Sequence, residues 1–160
     1  DVNAYAASAF YAIDRYASFK MKWGAFYEEG GTIVCDRYVT SNIVHQAMKI
    51  DGDKTEFIDW LCDFEYGRLG LPVPNAVIFL DMPPEYAKML MANRKNKITG
   101  EAQKDIHEKN ETYLKAAYEN ALHVCGHLGW NRVCCAENGK IKEITEIHSE
   151  IVRFLEKKLK

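Results

Sequence analysis

The residues with the most to offer chemically lie between positions 36 and 46. Asp36-Arg37-Tyr38 follows directly on the β-branched run Thr32-Ile33-Val34-Cys35, and in parallel-sheet folds ligands sit beyond the carboxyl ends of the strands. A guanidinium at such a place presents a fixed fork of donors that matches phosphate oxygens, and the adjacent carboxylate can hold Mg2+ directly or through water. Taken alone, the pair is equally compatible with an Asp36–Arg37 ion pair that ties the loop to the next helix. Ser41-Asn42 and His45-Gln46 follow. Asn and Gln offer both a donor and an acceptor, the kit for reading a nucleobase edge, while Ser41 can equally cap the helix. Upstream, Tyr11 and Arg15 are four residues apart and share a helix face. There a ring can stack on a base while the arginine hydrogen-bonds its carbonyl; the alternative is an aromatic core residue beside a surface arginine.

Two other clusters have chemical residue types. Arg94, Lys95, Lys97 and Gly100 fall in a polar stretch from 94 to 104, where positive charge could meet phosphate. His123-x-Cys125-x-His127, with Cys134 and Cys135, contains metal-ligand types. On a helix, however, Cys125 faces away from the two histidines, and adjacent cysteines in a strand point to opposite faces, so core thiols are expected.

The elements that must position these residues follow from hydrophobic spacing. Val2, Tyr5, Ala6, Ala9, Phe10, Ile13 and Ala17 predict an amphipathic helix over the first twenty residues, with no start signal of its own. Gly30-Gly31 breaks the chain, Thr32–Cys35 reads as a buried parallel strand, and a helix over 40–49 follows. Asp53-Lys-Thr-Glu56 resembles a capping box ahead of a helix whose stripe is Phe57, Trp60, Leu61 and Phe64. After the extended Leu71-Pro-Val-Pro74 come a strand at Ala76–Leu80, a helix from Pro83, a helix ending near Cys125, a strand at Trp130–Cys135, a turn at Glu137–Gly139 and a closing helix from Ile141. Strands alternating with helices imply an α/β layer fold with a parallel sheet. No linker or repeat interrupts the 160 residues, so a single domain is expected.

Composition narrows the field. Lys+Arg number 21 and Asp+Glu 23, a net charge of −2, which removes the global electrostatic case for coating nucleic acid or an anionic membrane. Apolar runs stop at five residues, as in Ala76–Leu80, far short of the ~18–20 needed to span a bilayer. Five cysteines without a C-x-x-C pair suggest reduced thiols and a cytoplasmic setting.

Three segments occur in one order: Phe10-Tyr-Ala-Ile-Asp-Arg15, then Gly31-Thr-Ile-Val-Cys-Asp-Arg-Tyr38-Val-Thr-Ser-Asn42, then Leu69-Gly-Leu-Pro-Val-Pro74 leading to Ile78-Phe-Leu-Asp81. The series resembles the thymidylate kinases over nearly the whole chain. That resemblance implies a three-layer P-loop-kinase-like fold and Mg2+-dependent phosphoryl transfer from ATP to dTMP, giving ADP and dTDP. It places thymine on Tyr11, Arg15, Ser41 and Asn42, and the monophosphate on Arg37. Asp36 falls near Mg2+ and the transferred group. His45 stands where the family usually has an aromatic that crowds the sugar 2′ position. The stretch from 94 to 104 matches the mobile lid, with Arg94 and Lys97 offered for catalysis and Arg94 for ATP. The usual lid Asp-Arg pair reads Asp105-Ile106 here. Ala136 and Asn138 fall in the loop against adenine. A homodimer formed in part through the first helix is also implied. The alternatives are a related nucleoside-monophosphate or deoxynucleoside kinase, and a nucleotide-binding protein without catalysis.

One part of such a site has no counterpart. A Gly-x-x-x-x-Gly-Lys-Ser/Thr loop is absent from the sequence, and Gly139-Lys140 does not make one, because Cys134 stands where the first glycine belongs. In the resembled fold, the strand carrying that loop lies between those matching Thr32–Asp36 and Ala76–Asp81. The expectation is therefore that a first βαβ portion, ~30 residues or more, precedes Asp1.

Overall fold

The computed structural model describes residues 2–92 and 111–159, and the chain divides into two compact units, Asp1–Val73 and Pro74–Lys160. The first unit is helical. Helix α1 (Ala4–Ser18) does have a start signal, contrary to expectation: Asn3 Oδ1 accepts the Ala6 N–H at 2.8 Å, satisfying one of the donors a helix N-terminus leaves open. The helix runs through a π-helical turn (Phe19–Trp23) into α2 (Gly24–Glu28). Gly30 then takes φ +89°, and the Gly31 N–H reaches back to the Phe26 carbonyl at 2.9 Å, the closing bond of a glycine C-cap.

Thr32–Cys35, expected as a buried strand, carries no regular structure, and Val34 is 93% exposed. The apolar run has strand character, but a parallel strand exists only where a neighbour completes its ladder, and no described strand pairs with it. Helix α3 (Val39–Ala47) follows, then α4 (Thr55–Cys62), which continues as a second π-helical turn (Asp63–Arg68). Ahead of α4, Asp53 Oδ1 accepts the Thr55 N–H at 2.9 Å, and Lys54 occupies the cap position, one residue later than the expected box places it.

Ala4, Ala12 and Phe19 from the first helical run, Val39, Ile43 and Ala47 from α3, and Phe57, Ile58 and Leu61 from α4 are all buried. Each large member contributes about 1.5–3 kcal/mol by leaving water. Tyr5 lies edge-on to Phe57 (5.0 Å) and Trp60 (4.7 Å), pinning the start of α1 to α4.

The second unit holds β1 (Ile78–Asp81), α5 (Pro84–Ala92), α6 (Glu111–His127), β2 (Asn131–Cys134), the short strands β3 (Ala136–Glu137) and β4 (Lys140–Ile141), and α7 (Ile144–Lys158). β1 and β2 pair in parallel with Ile78 opposite Asn131 and Asp81 opposite Cys134, the strand order of an α/β layer. Val124, Ala121 and Cys125 of α6 are buried, as are Val133 and Cys135. The expected core thiols are thus Cys125 and Cys135, whereas Cys134 is exposed; all five cysteines are free. His123 and His127 share the exposed face of α6, their rings parallel at 6.3 Å. β3 and β4 form a hairpin over Asn138 and Gly139, both at positive φ, as a tight Asn-Gly turn requires. No helix among the described residues is long and apolar enough to cross a membrane.

Candidate functional site

Asp36 and Arg37 occupy the bend just ahead of α3, and both are exposed. Among the described residues no ion pair joins them. Instead Arg37 Nε donates to Ser41 Oγ at 3.2 Å. Ser41 therefore orients the guanidinium rather than capping the helix, whose cap position is Tyr38. Arg37 holds φ at 71°, a left-handed conformation that a side-chain-bearing residue adopts at a cost. The strain turns the side chain out at the start of α3, where open N–H groups and the helix dipole also favour an anion.

Tyr11 and Arg15 divide their burial opposite to the simple alternative. Tyr11 is the exposed member at 56%, while the Arg15 side chain is only 16% exposed. The reason is Glu65, a residue that the sequence reading did not single out. Its side chain is wholly buried, its Oε2 meets Arg15 Nη1 at 2.5 Å, and its Oε1 accepts from Asn42 Nδ2 at 2.9 Å. Arg15 also donates to the carbonyls of Tyr11 (3.2 Å) and Tyr38 (3.3 Å), and lies 5.6 Å from the Tyr38 ring centre. A signal for Glu65 exists in the sequence: it continues the buried spacing of Phe57, Ile58 and Leu61, placing an acid on a core stripe.

Burial raises the Glu65 carboxyl above its ordinary value; the Asn42 and Arg15 contacts oppose the shift without cancelling it. Burial likewise pushes the Tyr38 phenol upward, and its O–H donates to the Pro72 carbonyl at 3.1 Å.

Asn42 and Gln46 lie in the core, not at the surface. Asn42 Nδ2 also donates to the Ser8 carbonyl at 3.2 Å, while Asn42 Oδ1, Gln46 Oε1 and Ser8 Oγ find no partner among the described residues. His45 is half-buried on the same helix. The first unit therefore brings Tyr11, Arg15, Arg37, Ser41, Asn42, His45 and Gln46 onto α1, α3 and the bend between them. Arg94, Lys97 and the rest of the 94–104 stretch lie outside the described residues.

In the second unit Ala136 and Asn138 lie on the β3–β4 hairpin. A polar cluster not anticipated from sequence sits at the end of β1. Buried Asp81 accepts from the Tyr118 O–H (2.7 Å) and from Arg132 Nε (2.7 Å) and Nη2 (2.6 Å).

A family model for thymidylate kinase matches residues 1–129. The chain belongs to the thymidylate kinase family. It is 30% identical over 129 residues to a thymidylate kinase of Plasmodium falciparum, covering 81% of this chain and 51% of that protein. It is 30% identical over 138 residues to one of Symbiobacterium thermophilum, covering 82% and 55%, and 27% identical over 129 residues to a probable thymidylate kinase of Methanococcus aeolicus, covering 77% and 56%. The chain thus spans about half the length of the curated relatives it matches. Membership in the thymidylate kinase family carries the P-loop-kinase class of fold, with which the parallel β1–β2 pair and its flanking helices agree. The family match includes every candidate from Tyr11 to Gln46 and ends before Ala136 and Asn138.

Proposed function

We propose that this chain forms the acceptor side of a dTMP kinase, which transfers the γ-phosphoryl group of ATP to dTMP and yields dTDP and ADP. The observation that carries the reading is Arg37, exposed at the start of α3 and oriented by Ser41, with the α1 pair Tyr11 and Arg15 in the same unit. Arg37 holds the acceptor phosphate, Tyr11 stacks on thymine, and Arg15 donates to a thymine carbonyl. His45 fills space near the sugar. No general base is required, because the acceptor phosphate is already an anionic nucleophile.

Mg2+ fits the residue types present: the Asp36 carboxylate is exposed and engaged by no described side chain, and Mg2+ takes one or two carboxylates with water and substrate phosphate. Bound there, the ion would neutralise charge on the phosphoryl group in transit. For the ATP triphosphate the sequence offers no Gly-x-x-x-x-Gly-Lys-Ser/Thr cradle, so the cradle itself is not assigned to these residues. Arg94 and Lys97 are assigned to the acceptor–donor charge, and Ala136 with Asn138 to the adenine side. Exposed Phe10 (76%) and Ile13 (54%) on α1 support a homodimer built on that helix.

The test is phosphoryl transfer by the complete gene product with dTMP, dAMP, dCMP and dGMP as acceptors. Turnover of dTMP well above the others is expected; turnover no higher than theirs would sink the assignment.

A further inference from the structure

Glu65 is a fully buried acid in the middle of the first unit, and nothing in the transfer reaction calls for it. Its two oxygens are divided between two side chains of the candidate site, one on Arg15 and one on Asn42. An arginine has five N–H donors. Here Nη1 serves both Glu65 and the Tyr11 carbonyl, and Nη2 gives one hydrogen to the Tyr38 carbonyl. The Nε–H and one Nη2 hydrogen are left.

We propose that Glu65 is a positioning residue for base selection, holding the Arg15 guanidinium in one orientation so that a fixed, donor-only edge meets the base; the proposal rests on the assignment of Arg15 to thymine. A rigid donor edge accepts a pyrimidine that offers a carbonyl oxygen and rejects one that offers an exocyclic amine, because the amine leaves two donors facing each other. A guanidinium free to swing aside loses that discrimination. Asn42 is the second anchor: with one amide hydrogen on the Ser8 carbonyl and one on Glu65 Oε1, it ties the carboxylate to both α1 and α3. The tie sits within a π-helical turn, an element often found where a helix aims a functional group. Burial also raises the Glu65 carboxyl despite these contacts, so the ionised group brings no net gain in stability, which argues for orientation as its role.

The experiment uses the complete gene product, with dTMP and dCMP binding measured by calorimetry and the Arg15 guanidinium observed by 15N NMR, its signals assigned with Arg15→Lys. In the unaltered chain Arg15 should show separate, slowly exchanging Nη signals. Glu65→Gln should remain folded while those signals merge, dTMP affinity falls about tenfold and dCMP affinity changes little, collapsing the selectivity. Glu65→Asp, which keeps the charge on a shorter arm, should recover part of the ratio. A folded Glu65→Gln with an unchanged dTMP-to-dCMP ratio, or one that loses both nucleotides equally, overturns the proposal. If Glu65→Gln does not fold, the unaltered chain decides: averaged Nη signals like those of a surface arginine overturn the clamp, and separate ones support it. A chain that shows the held arginine yet binds neither nucleotide defeats the thymine assignment and leaves the clamp standing.

Discussion

Arg15 and Glu65 are 50 residues apart in sequence and 2.5 Å apart in the fold, with the glutamate side chain withdrawn completely from solvent. Such a contact invites the inference that it is a stabilising salt bridge. The direction of the Glu65 shift says otherwise: its carboxyl is raised, so desolvation outweighs the help from Asn42 and Arg15. An acid whose folded pKa exceeds its unfolded value gives a stability contribution that is present below the unfolded pKa, about 4.3 for Glu, and lost as pH rises through the folded pKa. Glutamine mimics the protonated form and does not titrate. The unaltered chain should therefore lose stability relative to Glu65→Gln as pH climbs above the ordinary carboxylate range, and the difference should then level off. Urea unfolding of both proteins between pH 4 and pH 8 measures it. A difference that moves in favour of the unaltered chain as pH rises contradicts the raised pKa.

The backbone at Arg37 sets a second test, because conformation and charge can be separated there. A residue with a Cβ held at φ 71° is strained by roughly 1 kcal/mol, and glycine removes that strain. Arg37→Gly and Arg37→Ala both delete the guanidinium and its bond to Ser41. The glycine variant should be the more stable of the two by about 1 kcal/mol, less the extra freedom glycine has when unfolded. Both should lose dTMP affinity by about a hundredfold, the scale of a lost charge-assisted phosphate contact. Thermal unfolding with and without dTMP reads the two effects together. Equal affinity for dTMP in either variant would remove Arg37 from the phosphate site.

Much of this arrangement was legible in the sequence, for reasons that differ by element. Hydrophobic spacing shows α1 and α4, because each buries one face of a helix, whereas β1 and β2 show as short apolar runs between turn signals. Thr32–Cys35 differs from its strand-like sequence because a β-branched run records the propensity to pair, not the presence of a neighbour. The role of Glu65 is not legible from sequence, because a lone acid on an apolar stripe has no meaning until its partners are known, and Arg15 and Asn42 lie 50 and 23 residues away. Asn42 and Gln46 lie on α3 as their sequence position implies, yet burial is a tertiary property that a polar residue type hides. The hairpin turn, by contrast, was readable from Asn138-Gly139 alone, since positive φ at both positions selects that dipeptide.

Asp81 is a third point of leverage. It is 3% exposed and carries the Tyr118 hydroxyl on one oxygen and the Arg132 fork on the other. Tyr118→Phe removes one donor while the arginine still satisfies the carboxylate, so a loss of about 1.5–3 kcal/mol is expected, the range for hydrogen bonds to charged groups. Asp81→Ala takes the acceptor from Tyr118, Arg132 and the Cys134 thiol at the end of β1 and should cost more. The Tyr118 phenol, pushed up to about 12 by burial and by its bond to Asp81, should remain protonated through pH 10. Denaturant unfolding of the two variants, ranked against the unaltered chain, measures the difference. A Tyr118→Phe variant as stable as the unaltered chain would show that the hydroxyl is equally well served by water.

Cys62 ends α4, where burial first and then the negative charges of Asp59 and Glu65 push its thiol up to about 11. Only the thiolate attacks an alkylating agent. At pH 8 the thiolate fraction is then on the order of one in a thousand, against roughly a quarter for an unperturbed thiol near 8.5. Iodoacetamide should modify Cys62 in the native chain some hundredfold more slowly than a small model thiol, with a rate that climbs about tenfold per pH unit until pH approaches 11. The linkage has the same sign: the contribution of the buried thiol to stability is intact below about 8.5 and lost as pH rises through about 11. Peptide mass spectrometry after timed labelling separates Cys62 from exposed Cys35 and Cys134, which makes them internal comparisons within one sample. Labelling of Cys62 at pH 8 as fast as the model thiol would mean that the end of α4 is not packed as described. The same result would loosen the π-helical turn that carries Glu65, because that turn begins at the next residue, Asp63.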